Sequence, residues 1–189
     1  MRLLPGAVRF ASWLGIAGAI CTSVLSPSSA SGQQDATNIR AAYVFNILKY
    51  IHWPAGQTEI KIAVLGDGKV ASAFFQVING KNIAGREIRV FRRASETEIA
   101  SSDVVYFPGQ SQEDSGPLLD RLSHGGNHAV LTVGETEQFL RDGGMITLSR
   151  SLDHIQLEIN ADTIRENRVK LGSRLLNIAI LKHYRKSRK

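Results

Sequence analysis

Three short, nearly continuous apolar segments constrain the fold of this chain more than any other feature. They are IKIAVL at residues 60–65, VVYF at 104–107 and AVLTV at 129–133. Each has the length of a strand, and helical patterns lie between them, so the order strand–helix–strand is indicated. Strands that are apolar on both faces are typical of a parallel sheet that is covered by helices on both sides.

Further elements are predicted before and between these segments. Asn38 is a suitable N-cap for a first helix over residues 39–51, in a chain whose structure is expected to begin near Asp35. Trp53-Pro54 should end that helix, because the residue before a proline disfavours the helical conformation. The other patterns predict, in order, a helix at 70–78, a strand at 87–92, a helix around 118–122 and a short helix at 136–140.

The carboxyl-terminal part departs from this alternation. Segments 145–149 and 155–159 are separated by a few polar residues, which predicts an antiparallel hairpin at one edge of the sheet. A final helix is predicted from about Ile164 or Ser173 to His183, because the region is rich in aliphatic residues. The expected fold is therefore α/β: a mixed, mainly parallel sheet flanked by helices on both faces, with an antiparallel C-terminal hairpin.

The amino terminus has the three parts of a cleavable signal peptide. Arg2 and Arg9 form a basic region, residues 10–25 are uncharged and mostly apolar, and Ser28-Ser29-Ala30 supplies small residues for cleavage after position 30. Glycine and hydroxyl residues interrupt the apolar stretch, which is shorter than the ~20 residues a membrane span needs. Cleavage is therefore favoured over a retained anchor.

Cleavage would leave 159 of the 189 residues, which suits one domain. The predicted organisation is a signal peptide at 1–30, a flexible leader at 31–36, a single domain at 37–185 and a basic tail at 186–189. Cys21 is the only cysteine and would leave with the signal peptide, so the mature domain has no disulfide and no thiol chemistry. A lipoprotein is disfavoured, because Ile20 is not the small residue that should precede the cysteine.

The net charge of +6 is concentrated at the two ends of the chain. Residues 31–181 carry 16 basic and 17 acidic side chains, whereas five of the last eight residues are basic. A neutral body argues against a nucleic-acid-binding surface. The basic end is expected to be either a solvated, frayed terminus or a contact with anionic lipid or a partner.

Patterns of catalysis and cofactor binding are missing from the sequence. It has no GxGxxG or GxxxxGK[ST] phosphate loop, no GxSxG nucleophile motif and no histidine spacing typical of zinc. We therefore predict no catalytic residue, no cofactor and no metal. Loops at the carboxyl ends of the strands, near Gly66, Pro108 and Gly134, are the candidates for a small-molecule site.

Several residues carry structural signals instead. Gly66 suits a tight turn after a strand, and Gly143-Gly144 suits a turn or a close backbone approach before Met145. Pro54 should terminate the first helix. Asn160 ends a strand and is predicted to cap the helix that follows.

Taken together, several segments resemble one known family. Residues 42–54, AYVFNILKYIHWP, are similar to the opening motif of the YfiR-like family of exported bacterial regulatory proteins. Five further segments resemble the later motifs of that family in the same order: 62–66, 80–86, 130–146, 159–160 and 171–176. The resemblance covers essentially the whole mature chain.

This resemblance implies a periplasmic α/β protein that is often dimeric and has no known catalysis. It also implies a partner: the periplasmic part of an inner-membrane sensor of the diguanylate-cyclase type, and hence a role in cyclic-di-GMP signalling. Many family members have cysteines where this chain has Ala63 and Ser102, so redox control by a disulfide is not expected here. The mature domain is expected to be periplasmic and not to span the membrane.

Aromatic residues with nearby cations are typical anchors of protein interfaces. Candidate partner-binding residues of this kind are Tyr43, Lys49, Tyr50 and Trp53, with core packing as the alternative for Tyr43 and Trp53. Arg174 is expected either to pair with Glu158 or to bind a carboxylate ligand, the pair being favoured. The leading hypothesis is a non-enzymatic regulator, and the alternatives are a small-molecule-binding module and an enzyme with a dispersed active site.

Overall fold

The computed structural model describes residues 30–66, 68–109, 115–124, 128–151 and 154–184. The predicted signal peptide up to residue 29 and the basic tail at 186–189 lie outside the described residues. In the described part of the chain, no helix is long and apolar enough to cross a bilayer.

Seven helices and eight strands occur among the described residues. In chain order they are α1 (Ala30–Leu48), β1 (Glu59–Val64), α2 (Gly68–Ile78), β2 (Asn82–Ile83), β3 (Arg86–Phe91), α3 (Glu96–Ala100), β4 (Val104–Tyr106), α4 (Ser115–His124), β5 (Leu131–Gly134), α5 (Glu137–Arg141), β6 (Ile146–Ser151), β7 (His154–Asn160), α6 (Ala161–Glu166), α7 (Ser173–Ile178) and β8 (Ile180–Lys182).

All the strands form one sheet in the order β2-β3-β1-β4-β5-β6-β7-β8. Strands β3, β1, β4, β5 and β6 are parallel to their neighbours in this series. Strand β7 is antiparallel to β6, with Ile146 opposite Ile159 and Ser151 opposite His154. These pairings confirm the mixed, mainly parallel sheet and its antiparallel hairpin.

Helices cover both faces of the sheet, as predicted. Successive residues of a strand point to opposite faces. Ile62 and Val64 of β1 therefore pack in one core with α1 and α2, and α2 contributes Phe74 to that core. Ala63 lies on the other face, in a second core that includes Leu119 of α4.

Helix α1 begins earlier than the sequence predicted. It starts at Ala30, so residues 31–36 lie within it, and Asn38 is inside the helix and is not its N-cap. Ala41 and Val44 are buried and hold the middle of the helix against the core. Turns added before them extend an existing helix, which is more favourable than starting a new one, so α1 can begin at Ala30 without a cap at Asn38.

The prediction of a final helix that continues to His183 was wrong. Helix α7 ends at Ile178, Ala179 adopts an extended conformation with φ −93° and ψ 150°, and Ile180–Lys182 forms β8. Strand β8 pairs in parallel with β7, so the hairpin lies one strand inside the edge of the sheet. Periodicity alone does not separate a short apolar strand from a helix, and the free edge of β7 decides the outcome here.

Candidate functional site

A groove of about 540 Å³ opens between α1, β7, α7 and β8. Most of its lining is apolar or aromatic. Representative lining residues are Tyr43 of α1, Tyr50 in the turn after α1, Ile155 and Leu157 of β7, and Leu175 and Ile178 of α7. We call it the α1–β7 groove.

Two of the predicted partner-binding residues meet in this groove. Tyr43 lies on α1, and Tyr50 lies in the turn that follows Leu48, where its N–H donates to the Ile47 carbonyl at 2.9 Å. The Tyr43 side chain is 40% exposed, whereas Tyr50 is partly buried against the core. The groove therefore presents aromatic surface from α1 and from the turn that ends it.

The chain directly after α1 is fastened to the segment that leads into α7. The Gly172 N–H donates to the Tyr50 carbonyl at 2.7 Å, and the His52 N–H donates to the Lys170 carbonyl at 3.0 Å. A Cβ at position 172 would lie 3.1 Å from the Tyr50 carbonyl oxygen, so a side chain would crowd this contact. This junction sets the spacing between α1 and α7, and therefore the width of the groove.

The other two candidates on this part of the chain lie outside the groove. Trp53 donates from Nε1 to the Leu48 carbonyl at 3.0 Å and packs against the core, so its ring belongs to the fold. Lys49 is exposed, donates to Asn46 Oδ1 at 2.9 Å and lies 4.4 Å from the centroid of the Phe45 ring.

Arg174 does not form the expected pair with Glu158. The Glu158 carboxylate contacts Lys182 Nζ at 3.4 Å, Gln156 Nε2 at 3.1 Å and Thr147 Oγ1 at 3.4 Å. Lys182 reaches it because β8 places Ile180 opposite Glu158 and puts Lys182 two residues further along the same face. Arg174 is exposed on α7 and forms no ion pair with the described residues.

The last described residues are held by carboxylates. Lys182, His183 and Tyr184 contact, respectively, Glu158 at 3.4 Å, Asp162 at 3.5 Å and Glu137 at 2.5 Å. The Tyr184 hydroxyl donates to Glu137, and this hydrogen bond, followed by Arg141, lowers the pKa of the Glu137 carboxyl. We call residues 182–184 and their three carboxylate partners the C-terminal clasp.

Two glycines, Gly134 and Gly144, lie against the ring of Phe139. Gly143 has φ +102°, which suits glycine, and Gly144 touches the buried Phe139 ring so closely that any Cβ there would overlap it. A Cβ at Gly134 would lie 2.6 Å from the same ring. The Gly143-Gly144 pair thus serves a turn and a close approach to a side chain.

The structure also explains the other residues that the sequence marked as structural, Asn160, Gly66 and Pro54. Asn160 is fully buried, caps α6 by accepting from the N–H groups of Asp162 and Thr163, and donates from Nδ2 to the Leu140 carbonyl at 2.9 Å. Gly66 has φ +84° at the end of β1. The Pro54 carbonyl accepts from Arg86 Nη2 at 3.1 Å.

The carboxyl ends of β4 and β5 are occupied by side chains of the protein itself. Tyr106 donates its hydroxyl to Glu135 Oε1 at 2.6 Å, and Glu135 Oε2 lies 3.4 Å from Nε of Arg40 on α1. Burial, followed by the Glu135 carboxylate, raises the pKa of the Tyr106 phenol well above 10.0. Two of the three predicted ligand loops, at Pro108 and Gly134, flank this buried cluster.

The loop at Gly66 is more open. A cleft of about 320 Å³ beside it is lined in part by Arg92 and Arg93. Among the described residues, no group of three or more His, Cys, Asp or Glu side chains is arranged to hold a metal ion.

A family model described as YfiR/HmsC-like matches residues 37–180, which include every groove residue named above. The chain belongs to the YfiR/HmsC-like family. Membership confirms the resemblance that the sequence motifs indicated, and it is consistent with a periplasmic regulator of cyclic-di-GMP signalling. Of the two positions where many YfiR-like proteins have cysteine, Ala63 is buried and Ser102 is buried with its hydroxyl donating to the Glu98 carbonyl at 2.6 Å.

The sequence did not single out three features of the structure. Strand β8 and the C-terminal clasp were hidden by the helical interpretation of residues 173–183. Helix α3 was also missed, although its capping box joins Ser95 and Glu98 in the S-x-x-E spacing that signals a helix start. The apolar residues of β7 that line the groove were predicted only as strand residues.

Proposed function

We propose that this protein is a non-enzymatic periplasmic regulator that binds the periplasmic part of an inner-membrane sensor of the diguanylate-cyclase type. Family membership and the predicted signal peptide support the compartment and the class of partner. The α1–β7 groove is the observation that carries the proposal, because it offers a concave apolar surface with two tyrosines, one on α1 and one in the turn that follows it. We further propose that residues 37–185 act as a single domain.

The chemistry of the groove indicates what its occupant must offer. Tyr43 and Tyr50 supply large, rigid contact area, which is typical of protein interfaces. Arg150 lies opposite Ile155 across the β6–β7 hairpin and is exposed, and Arg174 is exposed next to Leu175. A partner segment with an apolar side and flanking carboxylates would match both the lining and these cations. Lys49 and Trp53 act at the edge, the first through its charge and the second by supporting the end of α1.

A photo-cross-linking amino acid at position 43 tests this arrangement in the cell. The expected product joins this protein to an inner-membrane protein that has a periplasmic part and a diguanylate cyclase domain. Deleting the gene should change the cellular cyclic-di-GMP level, and the parent chain should restore it. Tyr43→Ser should fold normally yet fail to restore it, because the groove loses its most exposed aromatic contact.

Ile39→Ser is the matched control, since Ile39 is 51% exposed on the same helix but does not line the groove. It should behave like the parent chain. If no such membrane protein is cross-linked and deletion leaves cyclic-di-GMP unchanged, the proposal is wrong. If Ile39→Ser and Tyr43→Ser are equally defective, binding does not depend on the groove.

A small-molecule-binding module is the second candidate, and the open cleft at Gly66 favours it. Arg92 and Arg93 would suit an anionic ligand there. A bound ligand raises the midpoint of thermal unfolding by mass action. A panel of anionic metabolites should therefore include compounds that stabilise the parent chain but not Arg92→Gln, and a flat response across the panel would exclude this function.

A further inference from the structure

A second groove, of about 520 Å³, lies along the outer edge of β3 and shares no lining residue with the α1–β7 groove. Its lining includes Val90 of β3, Arg92 just after this strand, Phe75 of α2, Asn79 just after α2, and Glu98 of α3. We call it the β3-edge groove. An uncovered strand edge is a template for pairing with another chain, so the covering of this edge decides what the groove can bind.

The first half of the edge is covered by the protein itself. Strand β2 pairs with the start of β3. The Ile88 N–H then donates to the Lys81 carbonyl at 2.8 Å, and the Ile88 carbonyl accepts from the Gly80 N–H at 2.8 Å. The Val90 N–H donates to Asn79 Oδ1 at 2.9 Å, so a side chain takes the place of a neighbouring strand there.

The covering ends after the Val90 N–H. The Glu87 N–H donates to the Thr58 carbonyl on the β1 side, and backbone groups alternate between the two sides of a strand. The Val90 carbonyl and the Arg92 N–H therefore face the outer edge, and neither has a hydrogen-bond partner among the described residues. One residue of an added parallel strand would satisfy both, because it donates to one carbonyl and accepts from the N–H two residues further on.

Three exposed arginines lie at this open end of the groove. They are Arg89, Arg92 and Arg93. The guanidinium carbon of Arg92 lies 4.6 Å from the centroid of the Phe75 ring, and that of Arg89 lies 5.8 Å from the centroid of the Phe91 ring. Within the described part of the chain, none of the three forms a salt bridge.

The carboxylates that line the groove do not neutralise this end. Glu98 accepts from the N–H and the hydroxyl of Ser95 at 2.8 and 2.9 Å, because it closes the capping box of α3. Glu59 and Glu87 lie opposite each other in the β1–β3 register, at the end of the groove that β2 covers. The open end therefore carries an excess of positive charge, which is complementary to carboxylates on the occupant.

We propose that the β3-edge groove binds an extended acidic segment of a partner protein as an added strand, parallel to β3. In strand addition the backbone hydrogen bonds provide affinity and the flanking side chains provide specificity. Here the Val90 carbonyl and the Arg92 N–H provide the backbone bonds, and the arginines select carboxylates through charge-assisted hydrogen bonds. The site is separate from the α1–β7 groove, so this proposal does not depend on sensor binding there.

Fluorescence anisotropy with the chain as recovered from the cell tests the proposal. The probe is a labelled peptide of alternating glutamate and valine, about seven residues and therefore about 23 Å long when extended. It should bind, and high salt should weaken the binding because screening reduces the attraction to the arginines. A peptide with lysine in place of glutamate should bind at least about tenfold more weakly.

Two measurements separate strand pairing from charge attraction. A glutamate–valine peptide that is methylated on every backbone nitrogen keeps its carboxylates but cannot donate to the Val90 carbonyl, so it should bind at least about tenfold more weakly. Amide hydrogen exchange of Arg92 should slow at least about tenfold when the unmethylated peptide is bound, because its N–H gains an acceptor.

Variants of the protein locate the site. Arg89→Gln with Arg93→Gln should weaken peptide binding at least about tenfold. Arg89→Gln alone should weaken it too, and this loss is specific to the groove because Arg89 does not line the cleft at Gly66. Arg174→Gln is the matched control, since it removes an exposed arginine from α7, and Tyr43→Ser alters only the other groove. Both should bind the peptide like the parent, and circular dichroism checks that every variant is folded.

Several results would overturn the proposal. They are failure of the parent to bind the glutamate–valine peptide, equal binding of the lysine or the methylated peptide, unchanged exchange of the Arg92 amide, and full binding by the double arginine variant. If free glutarate displaces the peptide at the same concentration as unlabelled peptide does, the arginines bind a small carboxylate and strand addition is wrong. Loss of peptide binding in Tyr43→Ser would place the peptide in the α1–β7 groove instead.

Discussion

Replacing Gly144 with alanine tests how tightly the second core is closed. The new Cβ would overlap the Phe139 ring, which is fully buried and lies 5.0 Å from the Phe107 ring centroid at an interplanar angle of 48°. The ring has little room to retreat, because it also touches Gly134. Overpacking of a closed core costs about 1–3 kcal/mol, and we expect the upper end here. For a chain of this length, that corresponds to a fall of about 6–12 °C in the midpoint of thermal unfolding.

Urea unfolding followed by circular dichroism measures the loss, as a lower midpoint at an unchanged slope. Gly116→Ala is the matched control, since its Cβ would meet nothing within 4 Å and its backbone angle is ordinary; it should cost nothing. Adding Phe139→Leu should relieve the overlap, so the double variant should be more stable than the sum of the single losses by about 0.5–3 kcal/mol. A Gly144→Ala chain as stable as the parent, or strictly additive losses, would refute this account of the glycine pair.

Three more outcomes follow from the contacts. Asn160→Ala should lower the free energy of unfolding in urea by about 1–3 kcal/mol, since it removes a helix cap and one of the two hydrogen bonds to the Leu140 carbonyl, which keeps the Gly143 N–H as a donor. A loss near zero would contradict the buried network. Because the pKa of Tyr106 is raised, the contribution of this phenol to stability is present below pH 10.0 and is lost as pH rises through the higher pKa of the folded state. Tyrosinate absorbance should therefore report ionisation of Tyr106 only when the protein unfolds. That component should be missing from Tyr106→Phe. The lowered pKa of Glu137 has the opposite pH dependence. The difference in stability between the parent and Glu137→Gln should be present above pH 4.5, the ordinary pKa, and should disappear as pH falls through the lower pKa of the folded state. A difference that persists in acid would argue against the bonds of Glu137 to Tyr184 and Arg141.

The elements that the sequence predicted well are the strands that are buried on both faces. Strands β1, β4 and β5 are apolar on both faces because helices cover both, and a short continuous apolar run between glycine-containing turns is typical of that environment. The β6–β7 hairpin was equally readable from its two apolar segments. What these local patterns do not contain is the order of strands, which depends on how the helices cross the sheet.

The errors occur where long-range contacts decide the local structure. Residues 180–182 have the composition of a helix end, and only the free edge of β7 makes them a strand. The expected Arg174–Glu158 pair failed for the same reason, because Lys182 reaches Glu158 through the strand register. The groove could be half predicted, because Tyr43 and Tyr50 were named from the sequence as partner-binding candidates, but their apolar neighbours on β7 are more than 100 residues away in the sequence.

The junction between residues 50–52 and 170–172 has a consequence for how the chain is made. Synthesis produces α1 well before the backbone groups at 170–172, which follow Tyr50 by about 120 residues and fasten the turn after the helix. Until they arrive, the apolar side of α1 has no fixed support at that end, and the sheet beside it still has an open edge. An incomplete chain is thus distinguishable from a finished one by its exposed surface, which gives chaperones and proteases a basis for removing unfinished copies.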